Sequence, residues 1–182
     1  AFVDRKRRVA LLRALRAATE ERFADVETLA AGARPADAAK PDNTWTHAQV
    51  LVEWARAALG QSRTAVAVIA DWPSSVSSPP LRRELSYWVG LTVLARGDRA
   101  TARRVVDTVI ADPAGQRNVE LQWRLRAVSG LAAADGPGAV TGASIRRASE
   151  DDLARLLAAW PQDGPAYAAR PDAVTLRGRI KT

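Results

Sequence analysis

Helix-breaking residues divide this chain into segments of helical length, and this division limits what it can fold into. Gly60, Pro73 and Gly97 each follow a stretch in which apolar residues recur every three to four positions. That spacing gathers apolar side chains on one face of an α-helix. The sequence therefore predicts an all-α protein made of antiparallel helical hairpins.

The interior of such a protein must be built mainly from small aliphatic side chains. Hydrophobic residues make up 47% of the 182 residues, while aromatic residues make up only 5%. Alanine, valine and leucine must then fill the core, and these side chains suit closely packed helices. A chain of this length accommodates one domain or a short repeat array.

The first segment, residues 4–31, predicts one long amphipathic helix. Its apolar positions have helical spacing and are Leu12, Leu15, Thr19, Phe23, Val26 and Leu29. Gly32 ends the segment, and residues 33–45 have the proline-rich, small and polar composition of a linker. We therefore assign residues 1–32 to a basic N-terminal helix that packs loosely on the remainder of the chain.

A first helical hairpin is predicted directly after this linker. Thr46 and Gln49 fit a capping box, in which each side chain binds a free amide at the start of a helix. Gly60 suits the left-handed conformation that closes a helix, and Ser62 is the predicted cap of the second helix. The hairpin ends at Trp72, before a proline.

A second hairpin repeats this arrangement. Residues 81–96 predict its first helix, Gly97 its turn, and Asp98 the cap of a second helix that ends at Ala111. A third hairpin begins near Asn118. The hairpins and their continuation define a repeat domain over residues 46–160.

The third hairpin is less regular. A helix is predicted over 119–134, but the glycine-rich segment 136–142 disfavours an immediate partner helix. A short, well-capped helix is predicted over 149–160, and residues 161–182 predict a basic irregular tail.

Three tryptophans mark a repeat. Trp54, Trp88 and Trp123 lie 34 and 35 residues apart, each in the first helix of a hairpin. Small residues stand at Gly90 and Ala102, where paired helices approach. Residues 46–113 therefore resemble tetratricopeptide repeats, whose period is about 34 residues, and the resemblance extends with weaker agreement to residue 148.

The resemblance implies a short right-handed solenoid whose first helices line a concave, partner-binding groove. Counted from the turn glycines, the groove positions would include His47 and Trp54 in the first hairpin and Glu84 and Tyr87 in the second. The alternative for the tryptophans is core packing, which their periodicity favours. The turn glycines 60, 97 and 136 are 37 and 39 residues apart, so helix lengths must vary.

Positive charge is the other marked property of the chain. The formal net charge is +7 at pH 7, which favours acidic partners, nucleic acid or an anionic membrane surface. The candidate basic contacts lie near the two ends: Arg5, Lys6, Arg7, Arg8, Arg177, Arg179 and Lys181. Arginine far outnumbers lysine, as is typical of proteins from a GC-rich genome.

Catalytic chemistry is not indicated. The chain has no cysteine and one histidine, and no serine or aspartate arrangement near His47 suggests a triad. No spacing of carboxylates suggests a metal site, and the glycine-rich segment 136–142 lacks the Lys-Ser/Thr ending of a phosphate-binding loop. We expect no enzyme activity, no metal and no cofactor.

A protein–protein interaction or assembly module is the leading functional hypothesis, with the protein acting as an accessory subunit of a larger complex. The first alternative is a basic helical protein associated with RNA or the ribosome. The second is the soluble domain of an accessory protein whose membrane anchor precedes residue 1. A soluble, cytoplasmic protein is favoured, with an organelle or the periplasm as alternatives.

Overall fold

The computed structural model describes residues 2–37, 42–113 and 118–133. Over these ranges the chain forms helices and no β-strand, so the predicted all-α class is confirmed. The helices are α1 (Phe2–Thr19), α2 (Phe23–Ala31), α3 (Asn43–Ala58), α4 (Val66–Asp71), α5 (Pro79–Ala95), α6 (Arg99–Ile110) and α7 (Val119–Ala133). A 3₁₀ turn at Trp72–Ser75 follows α4 directly.

The predicted single helix over residues 4–31 is wrong, because the chain turns sharply between α1 and α2. Glu21 adopts a left-handed conformation with φ of 60°. The Arg22 amide donates back to the Ala17 carbonyl at 2.9 Å, which closes α1 as a glycine would normally do. Thus α1 and α2 form a helical hairpin of their own.

Helices α1 and α2 pack directly against α3, so the predicted loose packing of the N-terminal segment is also wrong. Arg7 on α1 donates to both carboxylate oxygens of Asp42 at 2.7 and 2.8 Å, and to the Ala33 carbonyl at 3.0 Å. The ion pair holds the pKa of Asp42 below its usual value. Phe23 on α2 packs edge-on against Trp54 on α3, with ring centroids 5.6 Å apart. The N-terminal hairpin therefore joins the common core.

Helix α3 begins earlier than the predicted capping box. Asp42 is its N-cap, and its carboxylate accepts from the Trp45 amide at 2.9 Å. Thr46 lies inside the helix, so it cannot serve as the cap. Because Asp42 is fixed by Arg7, a tertiary contact decides which of two capping residues starts the helix.

The second helix of the next hairpin, α4, has only six residues. Gly60 has the predicted left-handed conformation, with φ of 71°. The predicted cap is wrong: α4 begins at Val66, and the Ser62 hydroxyl instead donates to Glu53 at 2.8 Å. Ser62 also accepts from Arg96 at 2.7 Å. The residues that were expected to form helix therefore form a braced loop.

The α5–α6 hairpin agrees closely with its prediction. Gly97 is left-handed, with φ of 84°, and the Asp98 carboxylate caps α6 by accepting from the Thr101 amide at 2.9 Å. A Cβ atom at Gly90 would lie 2.6 Å from Val106 on α6 and 3.2 Å from Val128 on α7. Glycine is therefore the residue that fits where these three helices meet without displacing a neighbouring side chain.

Contacts between helices follow the order of the chain. Helix α1 contacts α3, α3 contacts α5, and α5 contacts α7. The second helices fill the spaces beside this row, with α2 on α3, α4 on α5, and α6 on α7. One continuous apolar core results, which the buried residues of α5 cross from Leu85 to Leu94.

The C-terminal predictions fall outside the residues described. The glycine-rich segment 136–142, the helix over 149–160 and the tail over 161–182 are all in this group. Helix α7 itself matches the predicted first helix of a third hairpin to within one residue.

Candidate partner-binding site

Two of the four predicted groove residues, His47 and Glu84, lie together where α3 meets α5, and a third, Tyr87, follows Glu84 on α5 by about one turn. His47 and Glu84 each precede their turn glycine by 13 residues (47 to 60 and 84 to 97), and their Nε2 and Oε1 atoms are 3.9 Å apart. The guanidinium carbon of Arg124 on α7 lies 5.9 Å from the centre of the Tyr87 ring. His47 and Glu84 therefore occupy the same position relative to their turn glycines and are neighbours in the structure.

Most of this cluster is covered. His47 is 5% exposed and Tyr87 is 9% exposed, while the Glu84 side chain keeps 44% of its surface. Loss of solvation lowers the pKa of His47 to about 4, so its ring is neutral at pH 7. It also raises the pKa of Glu84, against the opposing effect of Arg124. The cluster offers a partner little beyond one carboxylate and one guanidinium.

The His47–Glu84 separation is too long for a hydrogen bond. The buried Nε2 atom of His47 has no hydrogen-bond partner in the part of the chain that the structure describes. With a neutral ring, the pair forms no salt bridge at pH 7.

Trp54, the fourth predicted groove residue, lies in the core. It is 3% exposed, Trp88 is 6% exposed and Trp123 is fully buried. The core-packing interpretation of the tryptophan period is therefore confirmed. Trp54 presents no surface to a partner.

A cleft on the opposite side of α3 is the more accessible feature. Because α4 is short, α2 and the 3₁₀ turn leave one face of α3 uncovered, and a cavity of about 360 Å³ lies there. Its lining comes from α2, α3 and the segment around α4: Glu27, Ala30, Ala31, Arg34, Trp45, Gln49, Val52, Glu53, Arg56, Thr64 and Trp72.

The cleft combines an apolar wall with a charged end. Trp45, Val52 and Trp72 are partly exposed and pack against the core. At the charged end, Arg56 donates to Glu53 at 3.1 Å and, through Nε, to Glu27 at 3.3 Å. These bonds connect α2 to α3 and fix the shape of the opening.

Two cleft residues present polar groups without internal partners. Gln49 lies one turn after Trp45 on the open face of α3, and Arg34 is exposed beyond the end of α2. Within the described ranges, no hydrogen bond or ion pair engages either side chain. Both are therefore available to a bound molecule.

Sequence reasoning missed this site. Trp45 and Trp72 fall outside the 34-residue period. Gln49 and Arg56 lie on the same face of α3, and polar residues on one face of a helix indicate ordinary exposure to solvent. The sequence did contain one indication of the site. Trp45 and Trp72 flank the first predicted hairpin, and the packing of the core does not require either tryptophan.

The predicted basic contacts have different environments. Arg7 is engaged by Asp42 and serves the fold, as described above. Arg5, Lys6 and Arg8 lie on the exposed part of α1. The remaining candidates, Arg177, Arg179 and Lys181, lie outside the described residues.

Within residues 2–37, 42–113 and 118–133, no group of three or more histidine and carboxylate side chains is arranged to hold a metal ion. None of the helices in these ranges combines the length and the apolar character required to cross a membrane.

Comparison of the chain with protein-family models, with curated proteins and with solved structures gave no match.

Proposed function

We propose that this protein is a non-catalytic protein–protein interaction module, in which the cleft on α3 holds a segment of a partner protein. The observation that carries the proposal is the uncovered face of α3, with Trp45, Val52 and Trp72 forming an apolar wall beside free polar groups. Tryptophan and arginine are the residue types that most often dominate protein interfaces.

The helices would stack as a short tetratricopeptide-like solenoid. Supporting this, each first helix contacts the next first helix, and each second helix packs against the first helix that follows it. In a regular array of this kind a full-length second helix would sit beside α3. The shortness of α4 leaves that place open, so a partner segment would complete the layer.

The size of the cleft suits a few inserted side chains. A volume of about 360 Å³ lies near the lower end of the roughly 300–1,000 Å³ typical of binding pockets. We propose that apolar side chains of the partner contact Trp45 and Trp72, while Gln49 and Arg34 bind its polar groups.

A comparison of two charge-reversal variants tests the site. Arg34→Glu alters the rim of the cleft, whereas Arg104→Glu makes the same charge change at an exposed position of α6. Immobilised wild-type protein and both variants would be incubated with extract of source cells, and captured proteins quantified by mass spectrometry. The expected result is a partner whose recovery falls about tenfold with Arg34→Glu alone, as for an interface hot spot.

Equal recovery with both variants would contradict the assignment of the cleft. The absence of any protein captured by the wild type above a bare-resin control would contradict the interaction function itself. Thermal unfolding of each variant, followed by circular dichroism, is the control for folding.

A further inference from the structure

The outward face of α1 carries an unusual combination of charge and exposed apolar surface. Leu12 is 62% exposed and Val9 is 40% exposed. At about 100° per residue, Arg5, Arg8 and Arg13 fall within roughly 140° of helix surface together with these two side chains. Three guanidinium groups therefore surround an aliphatic centre.

This face is fixed outward by the packing of α1. Ala14 and Ala17 on the opposite side are fully buried, and a Cβ atom at Gly32 would approach the Ala10 Cβ to 2.9 Å. Helix α1 therefore lies close against α2 and α3, and the Arg7–Asp42 bonds prevent it from rotating. Covering Val9 and Leu12 requires something from outside this hairpin.

The positive charge of the face is little compensated. No hydrogen bond or ion pair engages Arg5, Arg8 or Arg13 within the described part of the chain. Nearby Glu20 is occupied, since it accepts from Arg16 at 2.7 Å and from Arg22 at 2.9 Å. A flat anionic surface is the electrostatic complement of this arrangement.

We propose that the outward face of α1 binds an anionic phospholipid surface. Leu12 and Val9 enter the boundary between headgroups and acyl chains, while the arginines bind lipid phosphates around them, as in amphipathic helices that lie in the membrane interface. A nucleic acid would satisfy the arginines through its phosphates, but it would gain little from the aliphatic centre. The apolar side chains therefore favour lipid.

The test uses vesicles and two triple variants with the same change in net charge. The full chain would be co-sedimented with vesicles of phosphatidylcholine alone and with vesicles containing roughly 30% phosphatidylglycerol, a cytoplasmic-type negative surface. Arg5→Gln/Arg8→Gln/Arg13→Gln removes the three positive charges from the outward face of α1. Arg63→Gln/Arg104→Gln/Arg126→Gln removes three exposed arginines elsewhere.

Binding only to the anionic vesicles is the expected result. Each cation near such a surface contributes about fivefold to partitioning, so the α1 triple variant should lose about a hundredfold. The control triple variant should retain binding to within a few fold. Leu12→Ala should reduce binding several-fold, because less apolar surface enters the membrane.

Three outcomes would overturn the proposal. Absence of binding to anionic vesicles is the first, and equal losses in both triple variants is the second, because it would indicate attraction by net charge alone. The third is α1-dependent binding of a single-stranded polyuridine oligonucleotide without vesicle binding, which would assign the face to nucleic acid. Unfolding curves for each variant confirm that losses arise in the folded protein.

Discussion

Replacing Gly90 by alanine tests the three-helix contact on which the stacking of α5, α6 and α7 depends. The new methyl carbon would lie 2.6 Å from the Val106 Cγ1 atom and 3.2 Å from the Val128 Cγ1 atom. Both valines are fully buried, and their branched side chains cannot swing aside without disturbing other core residues. The helices must therefore separate slightly.

The expected effect is a difference of two terms. Overpacking of a core costs about 1–3 kcal/mol, while alanine in a helix interior gains about 1 kcal/mol over glycine. We expect Gly90→Ala to lower the free energy of unfolding by about 1 kcal/mol, within a range of about 0–2 kcal/mol.

Gly130 in α7 provides the matched control, because nothing lies within 4 Å of a Cβ atom built there. Gly130→Ala should raise the free energy of unfolding by about 0.5–1 kcal/mol through helix propensity alone. In a Val106→Ala background the overlap is relieved, so adding Gly90→Ala should become neutral or stabilising. Urea denaturation followed by circular dichroism measures all four variants. Equal stabilisation by Gly90→Ala and Gly130→Ala would refute the close approach of α5 to α6.

Three further changes test other parts of the fold. Burial lowers the pKa of His47 from its ordinary value of 6.5 to about 4 in the folded protein. The stability linked to its neutral ring is therefore fully present above pH 6.5 and is lost as the pH falls toward 4. Wild type should lose up to about 3 kcal/mol more than His47→Gln between pH 7 and pH 4, measured by urea denaturation. Parallel curves would contradict the burial of the ring. The raised pKa of Glu84 has the opposite effect, because the stability it contributes is present at low pH and is lost as the pH rises. Wild type and His47→Gln both contain Glu84, so its effect cancels in the comparison. Arg7→Gln should cost about 1–2 kcal/mol and speed amide exchange in α1, because the paired bonds to Asp42 disappear; unchanged exchange would show that α1 is held otherwise. Gly97→Ala should cost about 1–2 kcal/mol, because φ of 84° is unfavourable for alanine, and no loss in thermal unfolding would be inconsistent with that turn.

The features that could be predicted from sequence have local causes. Gly60 and Gly97 end helices because glycine alone adopts left-handed backbone without strain, and Asp98 caps α6 through an amide three residues away. The small residue at Gly90 was predicted from the repeat pattern, and the approach of Val106 explains it. In each case the residues that determine the feature lie within a single helical hairpin.

The features that could not be predicted depend on distant residues or on a missing element. Glu21 adopts the left-handed conformation that usually requires glycine. Because the sequence has glutamate at this position, it gives no indication that the helix breaks between α1 and α2. Asp42 displaces Thr46 as a cap because Arg7, far away in sequence, holds it. The cleft exists because α4 is shorter than its counterpart α6, and no single residue encodes that absence.

Site-specific photo-crosslinking tests the partner-binding cleft most directly. A photoreactive amino acid would replace Gln49, inside the cleft, or Arg104, exposed on α6. After irradiation in extract of source cells, we expect one discrete crosslinked partner from position 49 that is absent from position 104, and whose yield falls with Arg34→Glu. Identical crosslinks from both positions, or none from position 49, would contradict partner binding in the cleft.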